Sequence, residues 1–199
     1  LTGVKTNEYT NATTTGLVNC HTKGWDFELI DILGLPKKIF QKLKMPMDVI
    51  GNFTENISNE AGFTCKVIAC ATHDTGSAVI AAPIIDDKSL YLSSDTWSLL
   101  GVENKNPILN EKSQSANFTN EGGFEHRYMY LKNIMGLWMI QCVYHEHGEK
   151  YSYAQLCDMA DKEDIETIVY CNNQRFFAPE SMTNEIRLYA EETNQEAPL

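Results

Sequence analysis

The sequence has no apolar run near the length of about 18 residues that spans a membrane, and no cluster of basic residues. Lys and Arg number 16 against 27 Asp and Glu, which gives a formal net charge of -11. Binding to nucleic acid needs a basic face, so we expect neither nucleic acid nor a membrane among the partners. The first residues carry no signal-peptide pattern, and we therefore expect a cytoplasmic protein.

No pair among the six cysteines shows the C-x-x-C spacing of a zinc or redox site. Several lie in apolar runs, where a free cysteine behaves as a small hydrophobic side chain, and we expect reduced thiols. The alternative is a secreted glycoprotein, because four sequons of the N-x-S/T type occur. These are at Asn11, Asn52, Asn56 and Asn117.

A chain of 199 residues with 43% hydrophobic residues can form one large domain or parts of two. It opens on Leu-Thr-Gly without an initiator Met, and we expect it to be a piece of a longer protein. Predicted strands alternate with predicted helices, which indicates an α/β chain. The predicted domain boundary lies near 83–87, directly after a central helix.

The central segment 67–83 holds the strongest chemical signal. It predicts a buried strand over 66–71, the turn His73-Asp74-Thr75, and a helix of small residues that ends at Pro83. Open α/β sheets place ligands beside the carboxyl ends of their strands. Asp74 is therefore either the N-cap of the helix or a base that accepts a proton from a substrate hydroxyl. His73 is either a buried structural histidine or a second group of the same site.

Two further segments combine polar and apolar residues. Residues 91–100 predict a hairpin with Asp95-Thr96-Trp97 at its tip, either an ordinary hairpin or one that holds a phosphate. The apolar stretch that follows Asn133 predicts a helix over 134–145 with Gln141 on it. Both amides satisfy backbone groups or contact a ligand. His145 and His147 lack a third ligand nearby, so we expect no metal site there.

The remaining pattern predicts elements around these segments. The predicted helices are 26–33 (capped by Asp26), 37–43, 153–161 and 181–192, and the predicted strands are 128–131 and 165–170. The predicted loops are 10–15 and 45–64, the latter with a short strand at 49–50, and 120–123 is a predicted turn.

Six segments together resemble the FGGY family of carbohydrate kinases, in order and across nearly the whole chain. They are Tyr9-Thr-Asn-Ala-Thr-Thr-Thr15, Thr72-His-Asp-Thr75 with Ser77-Ala-Val-Ile-Ala81, Tyr91-Leu-Ser-Ser94, Thr96-Trp-Ser-Leu99, Asn120-Glu-Gly-Gly123 and Leu131-Lys-Asn-Ile-Met-Gly-Leu-Trp138. The resemblance implies an actin-like, ribonuclease-H-like α/β fold, with parts of two domains that flank a catalytic cleft. Residues 1–83 would form the end of the first domain, and residues 84–199 the start of the second.

The resemblance also implies an activity, namely transfer of a phosphoryl group from ATP, with Mg²⁺, to the 1-hydroxyl of L-rhamnulose. Asp74 falls on the proton acceptor of the family. The implied sugar contacts are His73, Asp74, Thr75 and Asn133, and the implied ATP contacts are Thr96 and Gln141. Phosphoryl transfer needs positioning and charge stabilisation more than covalent help, which suits a single carboxylate.

The chain departs from the family pattern in two ways. Asp95 stands where the family usually has Gly, which puts phosphate contact by the hairpin in doubt. The Gly-rich phosphate hairpin at the family's N-terminus and its late Gly-rich adenine segment are absent, so we expect these 199 residues alone to be inactive. The alternatives are a kinase for another sugar, such as fuculose or xylulose, and a non-catalytic sugar-binding relative.

Overall fold

The structure is a computed structural model that describes residues 1–84, 86, 88–94 and 96–197. Its contacts divide the chain into two compact units. The first consists of Leu1–Ser93 and Leu99–Lys132, and the second of Ser94–Ser98 and Asn133–Leu199. Asp95 lies outside the described residues.

Helices and strands alternate along the chain. The strands are β1 (Asn7–Glu8), β2 (Leu43–Lys44), β3 (Val49–Asn52), β4 (Lys66–Ile68), β5 (Leu90–Ser94), β6 (Trp97–Asn104), β7 (Phe118–Gly122) and β8 (Tyr128–Met135). The α-helices are α1 (Tyr9–Thr13), α2 (Phe27–Ile32), α3 (Glu55–Ala61), α4 (Asp74–Ala81), α5 (Glu111–Ser115), α6 (Trp138–Glu146), α7 (Tyr153–Ala160) and α8 (Met182–Glu192). Short 3-10 helices lie at Lys37–Ile39, Phe124–His126 and Gln174–Phe176.

Over the described ranges the strands form three sheets. β1 pairs with β2 in parallel, β3 pairs with β4 antiparallel, and the third sheet has the order β5-β6-β8-β7. β7 and β8 run antiparallel, with Glu121 opposite Met129 and Gly122 opposite Tyr128. Sheets and helices in one chain confirm the predicted α/β class.

Each unit has its own apolar core, which burial of hydrophobic surface stabilises. The core of the first unit consists of Val79, Tyr91, Met129 and Leu131. The core of the second consists of Met135, Phe176 and Met182. No helix within the described part of the chain is long and apolar enough to cross a membrane.

The predicted small-residue helix is confirmed as α4, which lies close to α1. The Cβ position of Gly76 is 3.5 Å from Cβ of Thr10, an ordinary contact distance. Ser77 Oγ donates to the carbonyl of Ala71 at 2.5 Å, which joins the first turn of α4 to the segment before it. Small side chains therefore let α4 approach α1 closely. The predicted Asp26 cap of α2, the strands β5 and β6, and the helices α7 and α8 are also confirmed.

Several local predictions are wrong. The predicted turn at 120–123 is mostly strand, because Asn120, Glu121 and Gly122 pair with β8. The predicted helix over 134–145 begins only at Trp138, since the preceding apolar residues belong to β8. An apolar run does not by itself separate a strand from a helix.

Other differences have local causes. The predicted buried strand 66–71 is the short β4, with two exposed residues, and it pairs with β3. The predicted strand over 165–170 does not form. The predicted loop 10–15 begins as α1, because Glu8 caps it, and the predicted loop 45–64 contains β3 and α3. Only the 3-10 turn Lys37–Ile39 forms within the predicted helix 37–43.

Candidate active site

Asp74 is the first residue of α4, and its side chain is 97% exposed. Its Oδ1 atom accepts a hydrogen bond from the N–H of Thr75 at 2.7 Å. His73, not Asp74, occupies the N-cap position, and its side chain makes no capping bond. The prediction of Asp74 as the N-cap is therefore wrong. The carboxylate is an open acceptor in a first helical turn, where the helix dipole favours negative charge.

The side chain of His73 is mostly buried and lies between two carboxylates. Its Nε2 atom is 3.6 Å from Oδ1 of Asp74, and its Nδ1 atom is 3.3 Å from Oε2 of Glu121. Only 17% of the His73 side chain and 15% of the Glu121 side chain are exposed, against 97% for Asp74. The imidazole thus joins a buried acid on β7 to an exposed acid on α4.

Burial shapes the electrostatics around Glu121. Desolvation raises the pKa of this carboxyl above its ordinary value, and the neighbouring His73 opposes the shift without cancelling it. The pKa of Tyr91 is also raised, first by burial and then by the negative charges of Glu121 and Glu103. The buried surroundings of Glu121 therefore favour either a protonated carboxyl or an ionised one whose charge is balanced by a neighbouring cation.

Glu8 holds the segment that precedes His73. Its Oε2 atom accepts hydrogen bonds from the N–H and the hydroxyl of Thr72, both at 3.0 Å. Oε2 also accepts from the Thr10 hydroxyl at 2.6 Å, and Oε1 accepts from the N–H of Thr10 at 2.9 Å. Desolvation alone would raise the pKa of Glu8, but the bonds from Thr10, Thr72 and Asn11 outweigh it and lower that pKa. An ionised Glu8 thus ties the start of α1 to the turn before α4.

The other predicted site residues divide between the two units. Thr75 is 5% exposed, so its side chain packs inside the first unit while its N–H supports Asp74. Asn133 lies exposed on β8. In the second unit, the Thr96 hydroxyl is 3.5 Å from Oε1 of Gln141, and the carbonyl of Thr96 accepts from the N–H of Trp138 at 3.2 Å. The structure therefore brings the two predicted ATP-side residues together.

Two residues of this arrangement, Glu8 and Glu121, were not predicted as site residues. Glu121 belongs to the segment Asn120-Glu-Gly-Gly123, whose polar and glycine residues favoured a turn. A signal for Glu121 was present, because its carboxylate lies in one of the six segments that resemble the family, and a turn does not require an acid at that position. Glu8 carried a weaker signal, since an acid directly before Tyr9-Thr10 can cap a helix.

The chain matches known proteins along its whole length. Residues 1–81 match the model for the FGGY family of carbohydrate kinases, N-terminal domain. Rhamnulokinases from Oceanobacillus iheyensis and Halalkalibacterium halodurans are each 50% identical to the whole chain, which covers 42% of each relative. Rhamnulokinase from Bacillus subtilis is 40% identical, with 41% of its length covered. The chain thus spans less than half the length of these relatives.

Solved structures with related folds include a xylulose kinase and a glycerol kinase. A ligand-bound xylulose kinase from Lactobacillus acidophilus has a TM-score of 0.68 and 22% identity, over 82% of this chain and 33% of that one. Plasmodium falciparum glycerol kinase with ADP has a TM-score of 0.65 and 15% identity, over 82% and 33%. At such identities the likeness establishes the fold alone, which is the actin-like α/β fold that the family resemblance implied. The whole chain is thus similar to part of these rhamnulokinases, and its residues 1–81 are similar to the N-terminal domain of the FGGY family of carbohydrate kinases.

Proposed function

We propose that the complete protein carrying this chain transfers the terminal phosphoryl group of ATP to the 1-hydroxyl of L-rhamnulose. The observation that carries the proposal is the exposed Asp74 carboxylate at the start of α4, next to His73. The names of the relatives, rhamnulokinases at 40–50% identity, support L-rhamnulose as the sugar. The chain spans 42% of such a relative, so the activity belongs to the complete protein.

Asp74 is the proton acceptor in this proposal. An ionised carboxylate accepts a hydrogen bond from the sugar hydroxyl and takes its proton as the new oxygen–phosphorus bond forms. The carboxylate lies in the first turn of α4, at the end of the helix where the dipole favours negative charge. Its exposure leaves room for a hydroxyl to approach, and the N–H of Thr75 fixes one of its oxygens.

His73 and Asn133 are proposed sugar contacts, since each offers a polar side chain that is not fully buried. Thr75 is the weakest of the proposed contacts, because its hydroxyl is enclosed and its N–H already bonds to Asp74. Thr96 and Gln141 are proposed ATP contacts, because their polar side chains lie together, with the Thr96 hydroxyl 3.5 Å from Oε1 of Gln141.

Mg²⁺ is the proposed metal, carried with the nucleotide. Among the described residues no group of three or more His, Cys, Asp or Glu side chains is arranged to hold a metal ion. Mg²⁺ bound with ATP keeps several waters and uses substrate phosphates with one or two carboxylates, so a cage in this chain is unnecessary. The ion would neutralise charge on the transferred group.

We place residues 1–83 in the first domain of the complete kinase and residues 84–199 in its second domain. On this proposal the sugar side is carried by Asp74 and His73, and the ATP side by Thr96 and Gln141. We expect residues 1–199 alone not to phosphorylate L-rhamnulose, since they span only 42% of the relatives. A cytoplasmic location accords with ATP as the donor.

The test is an ATP-dependent assay of the complete kinase, meaning this chain continued to the full length of its relatives. L-Rhamnulose is compared with L-fuculose and D-xylulose, and the favoured ketose should show the highest kcat/KM. Asp74→Asn should lower kcat by at least about 100-fold, in the range typical for loss of a general base. Asp31→Asn, at an exposed aspartate of α2 paired with Lys37, is the matched control and should leave kcat unchanged.

Each possible outcome has a distinct meaning. Preference for fuculose or xylulose would replace the sugar and keep the kinase. Absence of turnover with every ketose, despite sugar binding, would support a non-catalytic relative. Retention of most turnover by Asp74→Asn would remove Asp74 from the role of base.

A further inference from the structure

The proposed base is connected through His73 to an acid that the sequence did not predict as part of the site. Nδ1 of His73 and Oε2 of Glu121 are both fully enclosed and lie 3.3 Å apart. Neither atom has a well-aligned hydrogen-bond partner among the described residues. An enclosed polar atom without a partner is costly, and the 3.3 Å contact between these two atoms is the interaction that can offset this cost for the Nδ1 atom of His73.

The number of hydrogens shared by His73 and Glu121 restricts how their side chains can bond to each other. If His73 is charged, Nδ1–H donates to an ionised Glu121 and Nε2 also carries a hydrogen. If Glu121 is protonated, it donates to Nδ1, and the hydrogen of the neutral ring is on Nε2. A neutral ring with its hydrogen on Nδ1 would turn the Nε2 lone pair towards Oδ1 of Asp74, 3.6 Å away, which is repulsive. Both favourable arrangements place an N–H group at Asp74.

We propose that Glu121 is a positioning residue for phosphoryl transfer, because it fixes His73 with its Nε2–H directed at the Asp74 carboxylate. This inference rests on the proposed function of Asp74. The Nε2–H and the Thr75 N–H both approach Oδ1, so that Oδ2 remains the oxygen that faces the sugar hydroxyl. Glu121 acts through His73 and does not itself contact the reacting atoms.

The strand that carries Glu121 is suited to such a role, because it is fixed on both sides. Glu121 is paired with Met129 in the ladder between β7 and β8. The side chain of Asn120 bonds to both the N–H and the carbonyl of Ile108, at 2.9 Å each. The N–H of Gly122 donates to the Thr13 hydroxyl at 2.8 Å. The carboxylate therefore projects from a rigid support towards His73.

A double-mutant cycle in the complete kinase tests the proposal. Glu121→Gln keeps the shape of the side chain but no longer enforces one protonation state, since an amide can donate to Nδ1 or accept from it. We expect kcat to fall by about 10- to 100-fold, with KM for ATP unchanged. If Glu121 acts through His73, the double variant Glu121→Gln, His73→Gln should match His73→Gln alone within about twofold. Losses that multiply would overturn the proposal.

Tyr91→Phe is the matched control. It removes a buried hydroxyl whose pKa is raised by burial and by the charge of Glu121, and kcat should stay within about twofold of the unchanged enzyme. A fall as large as that of Glu121→Gln would assign both effects to general packing and overturn the proposal.

A spectroscopic measurement keeps the two proposals apart. Nitrogen-15 NMR of the His73 ring in the unmodified kinase should show a hydrogen on Nε2, and Glu121→Gln should yield a mixture of tautomers. A ring protonated on Nδ1 alone would overturn the positioning role, whatever the kinetics.

If Asp74→Asn is inactive while Glu121→Gln keeps full kcat, only the positioning role fails. If Asp74→Asn remains active, the proposed base fails, although the arrangement of the His73 ring can still be read from the spectrum.

Discussion

A Cβ atom on Gly122 would lie 2.3 Å from a ring carbon of Tyr9, so β7 and α1 meet where only glycine fits. Tyr9 is 1% exposed and cannot move outward without leaving the core. Gly122→Ala should therefore lower the free energy of unfolding by about 1–3 kcal/mol, the usual cost of overpacking. Urea denaturation followed by circular dichroism measures this change.

Gly24→Ala is the control for that substitution. The nearest atom to a Cβ at Gly24 is Oγ1 of Thr22 at 3.9 Å, an ordinary contact. Its unfolding free energy should change by less than about 0.5 kcal/mol. An equal loss at both positions would show that the close approach of β7 and α1 is not the cause.

Glu8 predicts a dependence of stability on pH. Its pKa in the folded protein is lowered from 4.5, with burial opposing the shift and the bonds from Thr10, Thr72 and Asn11 producing it. A lowered pKa means that the ionised form stabilises the fold above the unfolded pKa, and that this contribution is lost as pH falls through the folded pKa. Glu8→Gln should destabilise the protein at neutral pH and flatten its loss of stability below pH 4.5.

Urea denaturation at a series of pH values measures this effect. The control is Glu60→Gln, at an exposed position on α3, which should leave the pH profile unchanged. A profile for Glu8→Gln as steep as that of the unchanged protein would contradict the role given to Glu8.

The sequence predicted the parts of the fold that local signals determine. α4 could be predicted because small residues follow His73-Asp74 and Pro83 stops the helix. The boundary between β8 and α6 could not, because Ile134 and Met135 are as apolar as the helix that follows. The strand at Asn120–Gly122 was missed since its backbone is satisfied by β8, a partner that local composition does not show.

Reasoning from the residues themselves could find only those parts of the candidate site that are neighbours along the chain. His73 and Asp74 are neighbours, so one motif indicated both. Glu121 lies 3.3 Å from His73 although 48 positions separate them in the sequence, and no spacing rule joins residues so distant. Glu8 reaches Thr72 in the same non-local way. The structure was therefore needed to show what holds the proposed base.

We expect the substitution Glu121→Gln to affect the stability of the protein and its activity in different ways. Its pKa is raised, first by burial, with His73 acting in the opposite direction. A carboxyl whose folded pKa lies above its unfolded value stabilises the fold below the unfolded pKa, and this contribution is lost as pH rises through the folded pKa. Ionisation of the buried Glu121 therefore costs stability at higher pH, while His73 offsets part of the cost.

Glu121→Gln has no charge to desolvate, so its unfolding free energy should equal or exceed that of the unchanged protein at neutral pH. The difference should grow as pH rises from 4.5, and it is measured by urea denaturation over that range. Glu103→Gln is the contrasting variant, because it weakens the contact of 3.4 Å between Glu103 Oε2 and Arg127 Nε and should destabilise the protein. A stable Glu121→Gln protein with low kcat separates positioning from packing, since a carboxylate needed only for the fold would lose both together.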